Sequence, residues 1–154
     1  ATYTMVSVSD ACGAGTVSGA ADVAVTPIPG NPNTFGAETW IGYVYDDFTT
    51  TPLTPYQNNV NYNLSKYRGF FNETELAAFG TSSYNTTTDV FNLNLSNNIP
   101  LQGANICGSY LNNFSVRFRM NKSFAAGVYT FQVGGDDGVR LTIDGVVITL
   151  APAN

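Results

Sequence analysis

The sequence predicts an all-β protein, an antiparallel β-sandwich, and three observations lead there. Apolar and polar residues alternate along the C-terminal half with the period of two that marks a half-buried strand. The alternating runs are short and are divided by Gly, Pro, Asn and Asp turn chemistry. Charged residues make up only 11% of the 154-residue chain, against roughly 25% in ordinary soluble proteins. The polar surface must therefore come from Asn, Thr and Gly, a composition typical of extracellular β-proteins.

The elements follow in chain order. Residues 2–8 and 20–25 read as two short strands. Pro27, Pro29, Gly30 and Pro32 then form a punctuated stretch, a linker or a long crossing loop. A soft boundary near Phe35 divides an N-terminal segment, 1–36, from a main domain, 37–154. Residues 39–45 alternate, from Thr39 and Trp40 to Val44 and Tyr45, and 49–62, rich in Thr, Pro and Asn, reads as a long surface loop. One short helix is expected. Asn72 caps it, Glu75 stands three residues later, Leu76-Ala77-Ala78-Phe79 follow and Gly80 ends it. At about two turns it would lie across one end of a sheet. Residues 89–95 alternate again. In 113–120, Phe114, Val116, Phe118 and Met120 point one way while Ser115, Arg117 and Arg119 point the other. Tyr129, Phe131 and Val133 form a further run, as do Val139, Leu141 and Ile143. Asp144-Gly145 is a strong hairpin signal leading into 146–150. Three or four consecutive antiparallel strands are thus expected at the C-terminal end.

Composition also removes functions. The chain has 6 Lys+Arg, 11 Asp+Glu and no His, for a net charge of -5. That leaves no electrostatic footprint for nucleic acid. Without His there is no Ser-His-Asp or Cys-His catalysis and no imidazole-ligated metal. Aromatic and aliphatic content suffices for a core, and no apolar run approaches the length needed to span a membrane. Ala1-Thr2-Tyr3-Thr4 has neither a basic n-region nor an h-region and reads as a mature N-terminus. Cys12 and Cys107 are an even pair, consistent with one disulfide in an oxidising compartment or with two buried thiols. A disulfide closing so long a loop stabilises by about 4–5 kcal/mol in the chain-entropy picture.

Few constellations remain. Asp46-Asp47 is a carboxylate pair, but glycoside hydrolysis needs two carboxylates facing each other across a cleft, and adjacent residues point apart. Tyr43, Tyr45, Tyr56, Tyr62, Tyr67, Tyr84 and Tyr110 can form a sugar-stacking platform or serve as core and rim residues. Trp40 reads as core. Asn63, Asn72, Asn85, Asn94, Asn113 and Asn121 begin Asn-x-Ser/Thr sequons, as expected of so Asn- and Thr-rich a chain. The most suggestive segment is Gly134-Gly135-Asp136-Asp137-Gly138, between two alternating runs. Adjacent carboxylates on a glycine turn can present several oxygens to one point, which suits calcium. Asp and Gly are equally the residues of an ordinary turn.

Around this turn the sequence resembles a known family. Phe114-Ser115-Val116-Arg117-Phe118, then Gly127-Val128-Tyr129-Thr130-Phe131, the Asp136-Asp137-Gly138 turn and Ile143-Asp144-Gly145 resemble the anthrax protective-antigen-type ("PA fourteen") domain. The likeness is dense over 113–148 and looser upstream, where residues 40–45 look like the family's opening strand. Tyr67-Arg68-Gly69-Phe70-Phe71 and Cys107-Gly108-Ser109-Tyr110 resemble forms seen in secreted bacterial surface proteins. The resemblance implies a β-sandwich that serves as a glycan-binding or adhesion module in adhesins, toxins and glycosidases. In lectin-like members the paired Asp of this turn hold calcium, which also ligates sugar hydroxyls; Asp136 and Asp137 occupy those positions. The family continues past the Ile-Asp-Gly hairpin with strands that add calcium and sugar ligands, so 37–154 is C-terminally truncated relative to it. Two aspartates alone would leave the ion under-coordinated.

The sequence therefore predicts a non-catalytic, secreted or cell-surface carbohydrate-binding or adhesion module. Its expected cofactor is calcium at Asp136 and Asp137, and its partners are glycans or other cell-surface components. The alternatives are a structural or protein-interaction module joined to other domains or chains of a larger surface protein, and an accessory domain of a secreted glycoside hydrolase.

Overall fold

The structure, a computed structural model, describes residues 9–10, 12–15, 27–46, 64–85, 87–95, 98–135 and 138–148. Its strands are β1 (Ser9–Asp10), β2 (Gly13–Ala14), β3 (Gly36–Ala37), β4 (Ile41–Tyr45), β5 (Tyr67–Asn72), β6 (Ser83–Asn85), β7 (Val90–Asn92), β8 (Ser115–Asn121), β9 (Leu141–Ile143) and β10 (Val146–Ile148). The remaining regular elements are two 3-10 helices, Leu64–Lys66 and Glu73–Ala78. Among the described residues the protein is all-β. The expected strands at 2–8 and 20–25 and the expected loop at 49–62 lie outside them.

The central sheet has the order β3-β8-β4-β5, with β8 and β5 antiparallel to β4 and the short β3 parallel to the end of β8. β4 is the axis. Val44, Tyr43 and Tyr45 are almost wholly buried, so both faces of the strand are covered. On one face Val44 packs with Phe71, Leu76, Phe79, Leu101 and Ile106, and Phe114, Val116 and Phe118 of the β8 region join them. Phe114, Val116 and Phe118 of the 113–120 alternation thus face the core as the sequence predicts. Gly42 stands opposite both Phe71 and Phe118. A Cβ there would press on the Phe71 ring; its absence lets the two rings meet edge to face, 5.8 Å apart.

The other face belongs to tyrosines. Tyr43, Tyr45 and Tyr67 form a second buried cluster with Ile28, Ile41 and Phe70 around it. Strand period alone would put Tyr67 on the same face as Phe71. Between Val44 and Tyr45 the register shifts, so that Val44 opposes Gly69 and Tyr45 opposes Tyr67. Arg68 is the extra residue of this bulge, and passing it turns Tyr67 to the tyrosine face.

Residues 27–35 cross this face as a strap. Tyr67 donates to the Pro29 carbonyl at 2.7 Å, the Tyr43 and Thr34 hydroxyls lie 2.7 Å apart, and Arg119 donates to the Pro32 carbonyl at 2.8 Å. The Arg119 guanidinium also sits 3.7 Å over the centre of the Phe35 ring, a cation–π contact. Gly30, at φ 82°, lies where any Cβ would strike Phe70. Of the two readings of this proline-rich stretch, the crossing loop is the one observed.

Beyond β5 the sheet edge is continued by residues 105–107. Phe70 N–H donates to the Asn105 carbonyl at 3.0 Å and Cys107 N–H to the Arg68 carbonyl at 2.7 Å. Cys107 is disulfide-bonded to Cys12, 95 residues away, with Cα atoms 4.4 Å apart. The bond fastens the β1–β2 ribbon to the β5 side of the sheet. Cys12 and the 27–35 strap, two described parts of the N-terminal segment, are therefore both joined to the central sheet.

Two expectations are corrected. The short helix is present at the expected place, and Asn72 N–H donates to Glu75 Oε2 at 2.7 Å, but it winds as 3-10 rather than α. The segment is too short to propagate an α-helix by itself, and its first residue is bonded both ways to Trp40. The second departure is at Tyr129, Phe131 and Val133. They alternate as a strand would, yet residues 122–135 belong to none of the described strands. Alternation says which side chains can share a face; a strand also needs a ladder partner. Phe124 instead gathers Tyr129 and Phe131 at ring-centroid distances of 4.8 and 5.9 Å. The β9–β10 hairpin does form, turning at Asp144-Gly145, but as a separate ribbon that begins at Leu141 rather than Val139.

Phe71→Ala should lower unfolding stability by about 3–5 kcal/mol, read from the denaturant midpoint. Burial first, then the neighbouring phenols of Tyr43 and Tyr45, raise the Tyr67 pKa well above its ordinary 10.0. The folded state favours the neutral phenol, so this contribution is complete below pH 10 and is lost as pH rises beyond it. Alkaline melting curves should show that decline, and Tyr67→Phe should flatten it while costing about 1 kcal/mol at neutral pH for the bond to Pro29.

Candidate functional site

Two regions concentrate chemistry. The first is the Gly134–Gly138 turn. Asp136 and Asp137, the expected calcium ligands, lie outside the described residues. Their described neighbours Gly134, Gly135 and Gly138 are exposed, and a Cβ on Gly134 would meet open space. Along the chain, the Gly134–Gly138 segment falls between the Phe124, Tyr129 and Phe131 cluster and the β9–β10 hairpin. Apolar side chains are exposed on both sides of it, among them Val128 at 100%, Phe131 at 47% and Val146 at 63%. Single exposed apolar residues are ordinary, but here they recur along one segment.

The second region is a charge cluster that no sequence motif announced. Lys122, immediately after β8, is paired with Asp89, immediately before β7. The ammonium bonded to it holds the Asp89 carboxyl below the ordinary carboxylate range. The Asp89 carboxylate in turn raises the Lys122 pKa, with Glu38 and Glu73 adding smaller effects in the same direction. Tyr84 of β6 donates to Asp89 Oδ1 at 3.2 Å. Burial first, then the Glu73 and Asp89 carboxylates, push the Tyr84 phenol up to about 12.

Glu73 is buried and is the fixed point of the cluster. Its backbone N–H donates to the Trp40 carbonyl at 3.3 Å, and its Oε2 accepts the Trp40 N–H at 2.9 Å. Glu38 reaches across from the turn after β3 and accepts the Ser123 N–H at 3.0 Å. Glu38 and Asp89 both have left-handed backbone, with φ of 57° and 54°, a region non-glycine residues enter only where neighbours hold them. Trp40 packs against Phe91 with tilted rings 5.2 Å apart, and Phe91 against Phe118 at 4.1 Å, so an aromatic wall runs beside the cluster. The residues come from five separate places in the sequence, and although Tyr84 and Glu73 each lay at or beside a recognised signal, none of those signals joined them.

Elsewhere, Asp46 is engaged by Arg68 at 3.1 Å. The same guanidinium donates to the carbonyls of Ser65 and Tyr67 at 3.0 and 2.9 Å, clamping the bulge. Asp47 lies outside the described residues. Of the tyrosines that could form a platform, Tyr43, Tyr45 and Tyr67 are core, and Tyr84 and Tyr110 are half-buried with their hydroxyls engaged; Tyr56 and Tyr62 are not described. Among the described residues no three Cys, Asp or Glu side chains are arranged to hold a metal ion, and no helix is long and apolar enough to cross a membrane. No family model, curated protein or solved structure matches the chain.

Glu73→Ala should destabilise by about 1–3 kcal/mol, because the Trp40 N–H is left without its acceptor. Glu73→Gln, which keeps an oxygen there, should recover part of that loss in the same denaturation measurement.

Proposed function

We propose that the chain is a non-catalytic module of a secreted or cell-surface protein, a β-sandwich of protective-antigen type that binds glycans or other cell-surface components with calcium at Asp136 and Asp137. The observation that carries this reading is the Gly-Gly-Asp-Asp-Gly sequence, which follows an exposed aromatic cluster and precedes the β9–β10 hairpin along the chain. Carboxylates supply hard oxygen ligands for calcium, and aromatic faces such as those of the preceding segment suit the C–H faces of sugars. The disulfide is compatible with an oxidising, extracellular setting. The exposed valines of the same region support a second reading, a protein-interaction module of a larger surface assembly.

Calcium separates the two. At a hundredfold excess over its Kd a ligand stabilises by about 2.7 kcal/mol, enough to raise Tm by several degrees in a domain of this size. The glycan reading expects that rise, its reversal by chelator, its loss in Asp137→Asn, and calcium-dependent retention on immobilised glycans. Melting and retention indifferent to calcium and to the substitution would reject the calcium site and leave the interaction module.

A further inference from the structure

The Lys122 cluster has features that an ordinary surface ion pair lacks. Exposed pairs are solvated and interchange freely with water. Here the ammonium nitrogen is in direct contact with Asp89 Oδ2, and the two side chains are only 22% and 35% exposed. A buried second carboxylate, Glu73, lies within electrostatic reach of the amine. The Tyr84 hydroxyl interacts with both Asp89 and Glu73 and so links the two carboxylates. The reacting groups are held by the framework. Asp89 closes a turn organised by Asn85, whose Oδ1 accepts the N–H groups of Thr87 and Thr88 at 2.9 and 3.3 Å, and Lys122 continues directly from β8.

We propose that Lys122 and Asp89 condense into an intramolecular amide, an isopeptide bond between Nζ and Cγ, with Glu73 and Tyr84 carrying the protons. One ammonium proton passes to Glu73, and the freed nitrogen lone pair attacks Asp89 Cγ. As the tetrahedral intermediate collapses, the bond from Cγ to one carboxylate oxygen breaks. That oxygen leaves as water with the two protons lost by the ammonium, one of them returned from Glu73 through the Tyr84 hydroxyl. Ammonium and carboxylate become amide and water, so no oxidant, reductant or activating group is needed. Fixed juxtaposition of Lys122 and Asp89 replaces the activation that free amines and carboxylates require, and Glu73, linked to Asp89 through the Tyr84 hydroxyl, supplies general acid–base catalysis.

Intact-mass spectrometry of the reduced full chain tests this directly. The mature protein should weigh one water less than its sequence, and protease digestion should release a branched peptide joining the Asp89 and Lys122 segments. Lys122→Arg keeps the positive charge but has no amine to acylate, and it should show the full mass. Glu73→Gln retains an acceptor for the Trp40 N–H but cannot carry a proton; it should show the full mass, or lose water far more slowly, while melting as a folded protein. Wild-type protein at full mass after prolonged incubation at neutral pH would overturn the proposal. So would a water deficit that persists in Lys122→Arg. Should that variant not fold, the wild-type mass and the presence or absence of the branched peptide still decide.

Discussion

β4 is buried on both faces, and most of the described structure follows from the need to cover it twice. A five-residue strand between two neighbours satisfies its backbone through the ladders, but its side chains require a layer above and a layer below. On the Val44 side the layer is aliphatic and phenylalanine-rich, drawn from the second 3-10 helix, β8 and the residues around Leu101 and Ile106. On the Tyr43 and Tyr45 side it is a tyrosine cluster closed by the 27–35 strap. Tyrosine suits this second layer because its ring fills volume while its hydroxyl reaches out to the strap's free carbonyls. The strap has no ladder of its own, so those hydroxyls and Arg119 provide the acceptors' partners.

The bulge at Arg68 allows one strand to serve both layers. Without it, β5 would offer Tyr67, Gly69 and Phe71 to a single face. With it, Phe71 completes the first core and Tyr67 the second. Arg68, set free of the pairing, turns its guanidinium onto Asp46 and the neighbouring carbonyls. In so charge-poor a chain, the described ion pairs are found at such irregularities: one clamps a bulge, the other joins the ends of β7 and β8. The disulfide works in the same way, fastening a ribbon too short to hold itself.

The functional reading concerns the other end of the chain. Among the described residues between 27 and 121, many side chains are occupied in holding the sheet together. Polar groups such as those of Glu73, Tyr67 and Arg68 are committed to a cap, a strap and a clamp. Residues 124–148 are the reverse, with exposed apolar and aromatic side chains, a locally closed hairpin and the Asp-Asp turn between them. A stable scaffold carrying an exposed segment is what a binding or adhesion module requires. A covalent Lys122–Asp89 link would lie at the junction of the two parts, at the point where β8 leaves the sheet.

Local patterning determined much of this protein. The strand at 41–45, the facing of Phe114, Val116 and Phe118, the cap at Asn72 and the Asp144-Gly145 hairpin were legible because each rests on contacts within a few residues, and steric preference acts at that range. The all-β class followed from them. Tertiary structure alone decided what depends on residues far apart. At Arg68 the neighbouring Gly69, at φ 120°, permits a bulge, but the reason for it is the opposite demands of two cores on one strand. Nothing in 127–133 says that alternation will go without a ladder partner, because pairing is a property of two segments. The Lys122, Asp89, Glu73, Glu38 and Tyr84 cluster was invisible for the same reason. Its members have no common spacing, and they meet only because β8, the β6–β7 ribbon and the turn after β3 end at the same corner. The cysteines lay between these cases: their number allowed a bond or two buried thiols, and only the fold brought Cys12 to Cys107.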